Sequence, residues 1–299
     1  MTTTAVRLDP HRPEWLTTEA WPFTLSRLDV NGADVSYTDI GAGPTLVFVN
    51  VGMWSIVWRD VIATLCDRYR CIALDAPGCG LSARPPSGVD LVVAADAIDV
   101  LVQTLDLVDI TLVAHDLGAP ATLQAAARWP ERVAALVVIN GFGWRPSGAM
   151  FRGMLAMMGN PATREIDALT GWLPRASATR FGVGRHWNRR TRAAYKRGLR
   201  RPQRRSFHRY MAAARKHDYT VIDACVKTLA DRPLLTIFGQ RNDPLRFQPK
   251  WKERFPDASQ ATVAKGYHFP MCDNPELVAS TIAGWHAAHV GRDAGFRQP

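Results

Sequence analysis

Three side chains in this sequence could act together on an electrophilic carbon: Asp116, Asp243 and His268. Asp116 lies in LVAHDLGAP (112–120), where an apolar run gives way to small–His–Asp–Leu–Gly and then to a helix-like stretch. A sharp strand-to-helix turn crowds the backbone, so small residues must flank its apex, and Ala114 and Gly118 are placed for that. An aspartate here would also suit a helix N-cap, so the turn alone leaves both readings open. Order along the chain adds weight. IFGQRNDPLRF puts Asp243 just after one apolar run, and KGYHFPMCDNPE puts His268 just after the next. Nucleophile, then acid, then histidine is a known order for a catalytic triad. Asp257 and Asp273 are neighbouring alternatives for the acid.

Positioning such groups requires strands that end near one another. PTLVFVN (44–50), RCIALD (70–75), ITLVAH (110–115), AALVVIN (134–140) and PLLTIFG (233–239) are short runs rich in Val, Ile and Leu. Runs of this kind suit strands buried on both faces of a parallel sheet. ASQATVAKG (258–266) supplies another, and an Asn31-Gly32 pair between alternating stretches predicts a β-hairpin at the start. Helical patterns fall at about 57–68, 90–107, 118–129 and 274–289. Strand and helix alternating in this way predict a parallel sheet covered on both faces. The rhythm breaks after Asn140. Residues 144–228 show helical stretches, prolines and no clear strand, giving an expected core of 20–143 plus 229–299 interrupted by a helical insertion.

The net charge of +10 is concentrated in that insertion. Residues 175–216 hold fifteen Lys/Arg and no Asp or Glu, leaving 22 basic against 27 acidic residues elsewhere. Uncompensated like charges repel, so an anionic substrate, an acidic carrier or the core's own acids should offset them. No nucleic-acid-binding fold or aromatic platform accompanies the charge, which argues against nucleic acid. No apolar run approaches the ~20 residues of a membrane span. Five scattered cysteines without C-x-x-C spacing indicate reduced thiols rather than a metal site. With an opening stretch lacking an apolar signal-peptide core, they suggest a cytoplasmic protein.

The chain resembles the α/β-hydrolase superfamily, in the branch holding epoxide hydrolases and haloalkane dehalogenases. LVAHDLG matches that branch's V-x-H-D-x-G elbow, and LDAPGCGLSARP (74–85) is similar to its D-x-x-G-x-G-x-S-x-x-P loop. RWPERVAALVVIN (128–140) is similar to the segment after the elbow helix, NVGMWSIVWRD (50–60) occupies the oxyanion loop, and YHFPMCDNPE the histidine loop. The resemblance implies an α/β-hydrolase fold: a mostly parallel eight-stranded sheet with an inserted α-helical cap. It implies a small-molecule substrate and calls for no cofactor or metal.

The chemistry it implies explains an aspartate at the apex. A carboxylate displacing a leaving group from sp³ carbon becomes an ordinary ester. His268, held by Asp243, would then deprotonate the water that hydrolyses that ester, with the backbone N–H groups of Leu117 and Gly52 as oxyanion hole. Two departures bear on the leaving group. The loop begins Asn50-Val51 instead of His-Gly. The positions where dehalogenases keep halide-binding Asn and Trp are Gly52 and Leu117, with Asn50 and Trp54 as the nearby replacements. Epoxide hydrolases use cap tyrosines as proton donors, and the insertion offers Tyr210 first, then Tyr195, with Tyr219 near its end. Epoxide hydrolysis is thus expected ahead of dehalogenation, with a non-catalytic binding protein as the third reading.

Overall fold

Runs of buried Val, Ile and Leu become the central strands of one eight-stranded sheet in the computed structural model, which describes residues 11–290. The strands are β1 (Ser26–Val30), β2 (Ala33–Ile40), β3 (Thr45–Asn50), β4 (Arg70–Asp75), β5 (Ile110–His115), β6 (Val133–Ile139), β7 (Leu234–Gly239) and β8 (Ser259–Val263). Their order across the sheet is β1-β2-β4-β3-β5-β6-β7-β8. From β4 to β8 every neighbouring pair is parallel. The β1–β2 hairpin joins antiparallel at the edge, and its turn residues Asn31 and Gly32 both have positive φ, as a tight hairpin turn requires.

Every residue of β5 and β7 is buried, because helices cover both faces. Those helices are α1 (Arg59–Leu65), α2 (Leu91–Thr104) and α3 (Gly118–Ala126), followed after the insertion by α10 (Phe247–Arg254), α11 (Pro270–Asp273) and α12 (Pro275–His289). Between β6 and β7 there are only helices: α4 (Ala149–Met158), α5 (Pro161–Thr170), α6 (Trp172–Ser177), α7 (Arg189–Gly198), α8 (Arg201–Lys216) and α9 (Thr220–Thr228). The break in the strand rhythm after Asn140 marks this change. Helix α10 was not visible in the residue pattern. FQPKWKER is polar and short, and only Gln248 and Trp251 are buried.

The arginine-rich stretch finds much of its compensation inside the insertion. Arg205 pairs with Glu165 of α5. Arg204 donates to the Asp167 and Ala168 carbonyls near the C-terminal end of α5 and to the Leu199 carbonyl, while Arg201 also reaches Ala168. Carbonyls left over at a helix C-terminus carry partial negative charge, so cations settle there. Buried Asp167 accepts from the Leu173 N–H and lies 3.2 Å from the His208 ring. Arg190 pairs with Glu19, outside the insertion.

Candidate active site

The turn after β5 carries Asp116 at φ +49°, a left-handed conformation that strains any residue with a side chain. Close packing below holds it there. A Cβ on Gly118 would come within 2.6 Å of the Val49 carbonyl oxygen, so only glycine lets α3 start this near β3. The side chain is thereby lifted off the end of the sheet, facing the loop after β8. His268 Nε2 lies 3.6 Å from Asp116 Oδ2, and the two side chains keep 37% and 24% of their exposure, so water can reach both. Burial alone would raise the Asp116 pKa. The hydrogen bond and charge of His268 outweigh it, helped by His115 and the Leu117 N–H, and the carboxyl is held below its ordinary value.

The other face of the His268 ring meets an amide. Asn242 Nδ2 is 3.3 Å from His268 Nδ1. Asp243, the carboxylate expected there, is turned away: it accepts the backbone N–H groups of Phe247 and Gln248 and caps the start of α10. Those two orphan donors at a helix start are strong partners for a carboxylate, and they swing its side chain off the ring. Asp273 does not replace it, since it accepts from the Tyr267 N–H and lies 3.4 Å from Arg185. Asp257 is exposed.

Beneath the site a polar layer fixes the histidine loop. Asn140, at the end of β6 with φ +43°, donates to the Tyr267 and His268 carbonyls and accepts from the Gly239 N–H. His115 is buried and its pKa is lowered to about 3, chiefly by desolvation, so the ring is neutral. Its Nε2 lies 2.8 Å from the His268 carbonyl, a contact that needs Nε2–H as donor. Nδ1 is then an acceptor, 3.3 Å from the Asn50 amide. Consistent pairing requires the Asn50 N–H to face Nδ1 and leaves its oxygen at the amide position without a partner. Asn50 is thus committed beneath the site.

The remaining expected residues are placed as follows. The Leu117 N–H faces the Asp116 carboxylate, where an oxyanion on that group would form. The Gly52 N–H faces the buried Cys79 thiol, so its expected pairing with Leu117 is not made in this arrangement. Trp54 is gripped between glycines: a Cβ on Gly80 or Gly198 would lie 2.3 or 2.2 Å from its indole. Both favoured tyrosines are buried and already donate. Tyr210 Oη reaches the Pro77 carbonyl at 2.8 Å, and Tyr195 Oη reaches Ser177 Oγ at 2.9 Å. Tyr219 lies within the field of Asp116. Burial raises its phenol pKa, Arg145 opposes the rise and the Asp116 charge adds to it. Its hydroxyl donates to the Ala214 carbonyl at 3.0 Å. Among the described residues, no group of three His, Cys, Asp or Glu side chains gathers as metal ligands would.

Sequence reasoning found Asp116 and His268 but missed Asn242 and Asn140. Each adjoins an apolar run at a strand end, the same signal that singled out Asp243 and His268.

Known proteins with this arrangement are similar along nearly the whole chain. Haloalkane dehalogenase 2 of Mycobacterium bovis is 26% identical over 282 residues, covering 88% of this chain and 95% of that one. A solved haloalkane dehalogenase loop variant from Bradyrhizobium elkanii superposes with a TM-score of 0.74 at 22% identity, covering 92% of this chain and all of that one. A solved epoxide hydrolase, CorEH, does so with a TM-score of 0.73 at 20% identity, covering 89% of this chain and 99% of that one. The family model for the alpha/beta hydrolase fold matches residues 44–275, most of the chain, so this protein belongs to that family and is a hydrolase.

Proposed function

We propose that the protein hydrolyses a small electrophile at an sp³ carbon through an alkyl ester on Asp116, with an epoxide as the favoured substrate. The observation that carries this reading is an ionised carboxylate on a strained turn, facing His268 Nε2 at 3.6 Å. An Asp116 oxygen attacks the less hindered ring carbon, the carbon–oxygen bond of the ring breaks, and the alkoxide takes a proton. His268 Nε2 then removes a proton from water, whose oxygen adds to the Asp116 carboxyl carbon. The Leu117 N–H stabilises the resulting oxyanion, and collapse releases the diol.

Asn242 would accept the His268 Nδ1–H in that second step, which orients the ring as a carboxylate would but adds no charge to stabilise the imidazolium. An epoxide is favoured over a halide because the surroundings of Asp116 offer few side-chain N–H donors. Leu117 and Gly52 have none, and the Asn50 N–H is turned onto His115. A halide stripped of water needs such donors. The cap hydroxyl that senses Asp116 is Tyr219, which takes over the role expected of Tyr210 and Tyr195.

Intact-mass spectrometry of His268→Gln protein incubated with epoxide and haloalkane panels tests the mechanism. The adduct should accumulate on Asp116, because ester formation survives and hydrolysis stalls. Turnover by the native chain without an adduct in the variant would falsify the ester route. In the native chain, Tyr219→Phe should slow epoxide opening about tenfold or more and leave haloalkanes unaffected; equal effects on both would remove the preference for epoxides.

A further inference from the structure

A helix lying on a water-soluble protein turns its apolar stripe inward. Helix α4 (AMFRGMLAMM) buries Phe151 and Leu155, yet it also presents Met150, Met154 and Met157 outward along one stripe. Helix α5 adds Ile166 and Leu169. Both helices pack on α8, which leaves their outer faces uncovered. These five side chains are 41–71% exposed, and they make up half of the ten large apolar residues exposed among those described. Exposed apolar surface concentrated in this way marks an interaction face.

Beside the stripe opens a cleft of about 940 Å³, whose lining includes Arg145, Arg152 and Arg215 and no acidic side chain. Arg152 and Arg215 form no salt bridge with any described residue, and Arg145 lies only within 3.9 Å of Asp218. This sets them apart from Arg201, Arg204 and Arg205, which are spent on α5.

We propose that the outer face of α4 and α5, with the arginine cleft beside it, docks the protein on an anionic lipid bilayer. Methionine, flexible and polarisable, suits insertion among mobile acyl chains, while guanidinium groups at the margin meet the anionic headgroups. Charge decides against a second copy of this chain as the occupant. A symmetric contact through the stripe would bring two arginine clefts together on two chains of net charge +10 each. The proposal does not depend on the reaction assigned to Asp116.

Vesicle co-sedimentation of the full chain tests it, using phosphatidylcholine alone and phosphatidylcholine with added phosphatidylglycerol. The native protein should pellet with the acidic vesicles and not with the neutral ones, and added salt should weaken binding. The double variants Met154→Glu/Met157→Glu and Arg152→Glu/Arg215→Glu should each lower the partition coefficient about tenfold or more. These positions are exposed, so unchanged circular dichroism and melting temperature will certify the fold. Failure to bind acidic vesicles overturns the proposal. So does acidic-vesicle binding that the methionine variant leaves intact, since that would be adhesion by charge alone. A concentration-dependent dimer that the methionine variant abolishes, with no vesicle binding, would assign the face to a second copy instead.

Discussion

The turns after β5 and β7 both carry an aspartate just past a fully buried strand, and they use it in opposite ways. After β5 the backbone is held by the tight approach of Gly118 to β3, and the Asp116 side chain is left with His268 and open space. After β7 no such clamp exists. The turn runs directly into α10, whose first N–H groups take up the Asp243 carboxylate, and the preceding residue, Asn242, meets the histidine. An acid at a strand end is therefore reactive only where the backbone leaves its oxygens unclaimed. Asp75, after β4, follows Asp243: its oxygens accept from the Ser55 and Leu81 N–H groups, in full burial.

Asp75 gives the largest expected effect that would sharpen this contrast. Desolvation raises its pKa to about 6 from 3.8, against the pull of those N–H groups. The folded chain therefore keeps a proton that the unfolded chain has lost across this window, and stability falls as pH rises through it. Relative to Asp75→Asn, which does not titrate, the native chain should lose roughly 3 kcal/mol between pH 4 and 7. Urea unfolding at both pH values measures this. A difference that stays constant with pH would mean the carboxyl is ionised throughout and is held as an anion, like Asp116.

The next effect falls on Asn242. Asn242→Ala should slow hydrolysis of the Asp116 ester about tenfold, and Asn242→Asp should accelerate it and move the alkaline limit of the pH profile upward, because a carboxylate favours the imidazolium. Single-turnover kinetics separate this step from ester formation. If both substitutions leave the hydrolysis rate unchanged, the amide merely fills space beside the ring.

The smallest effect belongs to Asp243. Asp243→Ala should cost about 1 kcal/mol of stability through loss of the α10 cap, with turnover changed by less than about threefold because His268 keeps its neighbour. A large loss of turnover without loss of stability would return Asp243 to the histidine and break the comparison.

The same physics sets what could be read from the residues. Strand runs, the hairpin turn, the elbow and the histidine at the sheet's end were all legible, because burial and backbone crowding dictate residue type directly. Asn242 against Asp243 was not. A one-residue choice in a turn depends on where the next helix begins, and FQPKWKER gave no periodic sign of starting at Phe247. Tyrosine roles were equally hidden, since Tyr195, Tyr210 and Tyr219 look alike until their hydroxyl partners are known. The arginine stretch predicted charge compensation. It did not show that α5 would supply much of it or that the open arginines would include Arg145 and Arg152, which precede the stretch.

Asn140 ends the strand from which the insertion departs, and β7, where the insertion returns, is its immediate neighbour in the sheet. Its side chain binds the far side of that gap at Gly239 and the His268 loop at the same time. The two attachment points are thus stapled together, and to the histidine, by groups that lie outside the insertion. A module leaving and re-entering through such a hinge-free seam can be exchanged as a unit, so a helical segment from another hydrolase, grafted between Asn140 and Pro233, would change what reaches Asp116 without unseating the groups that act on it.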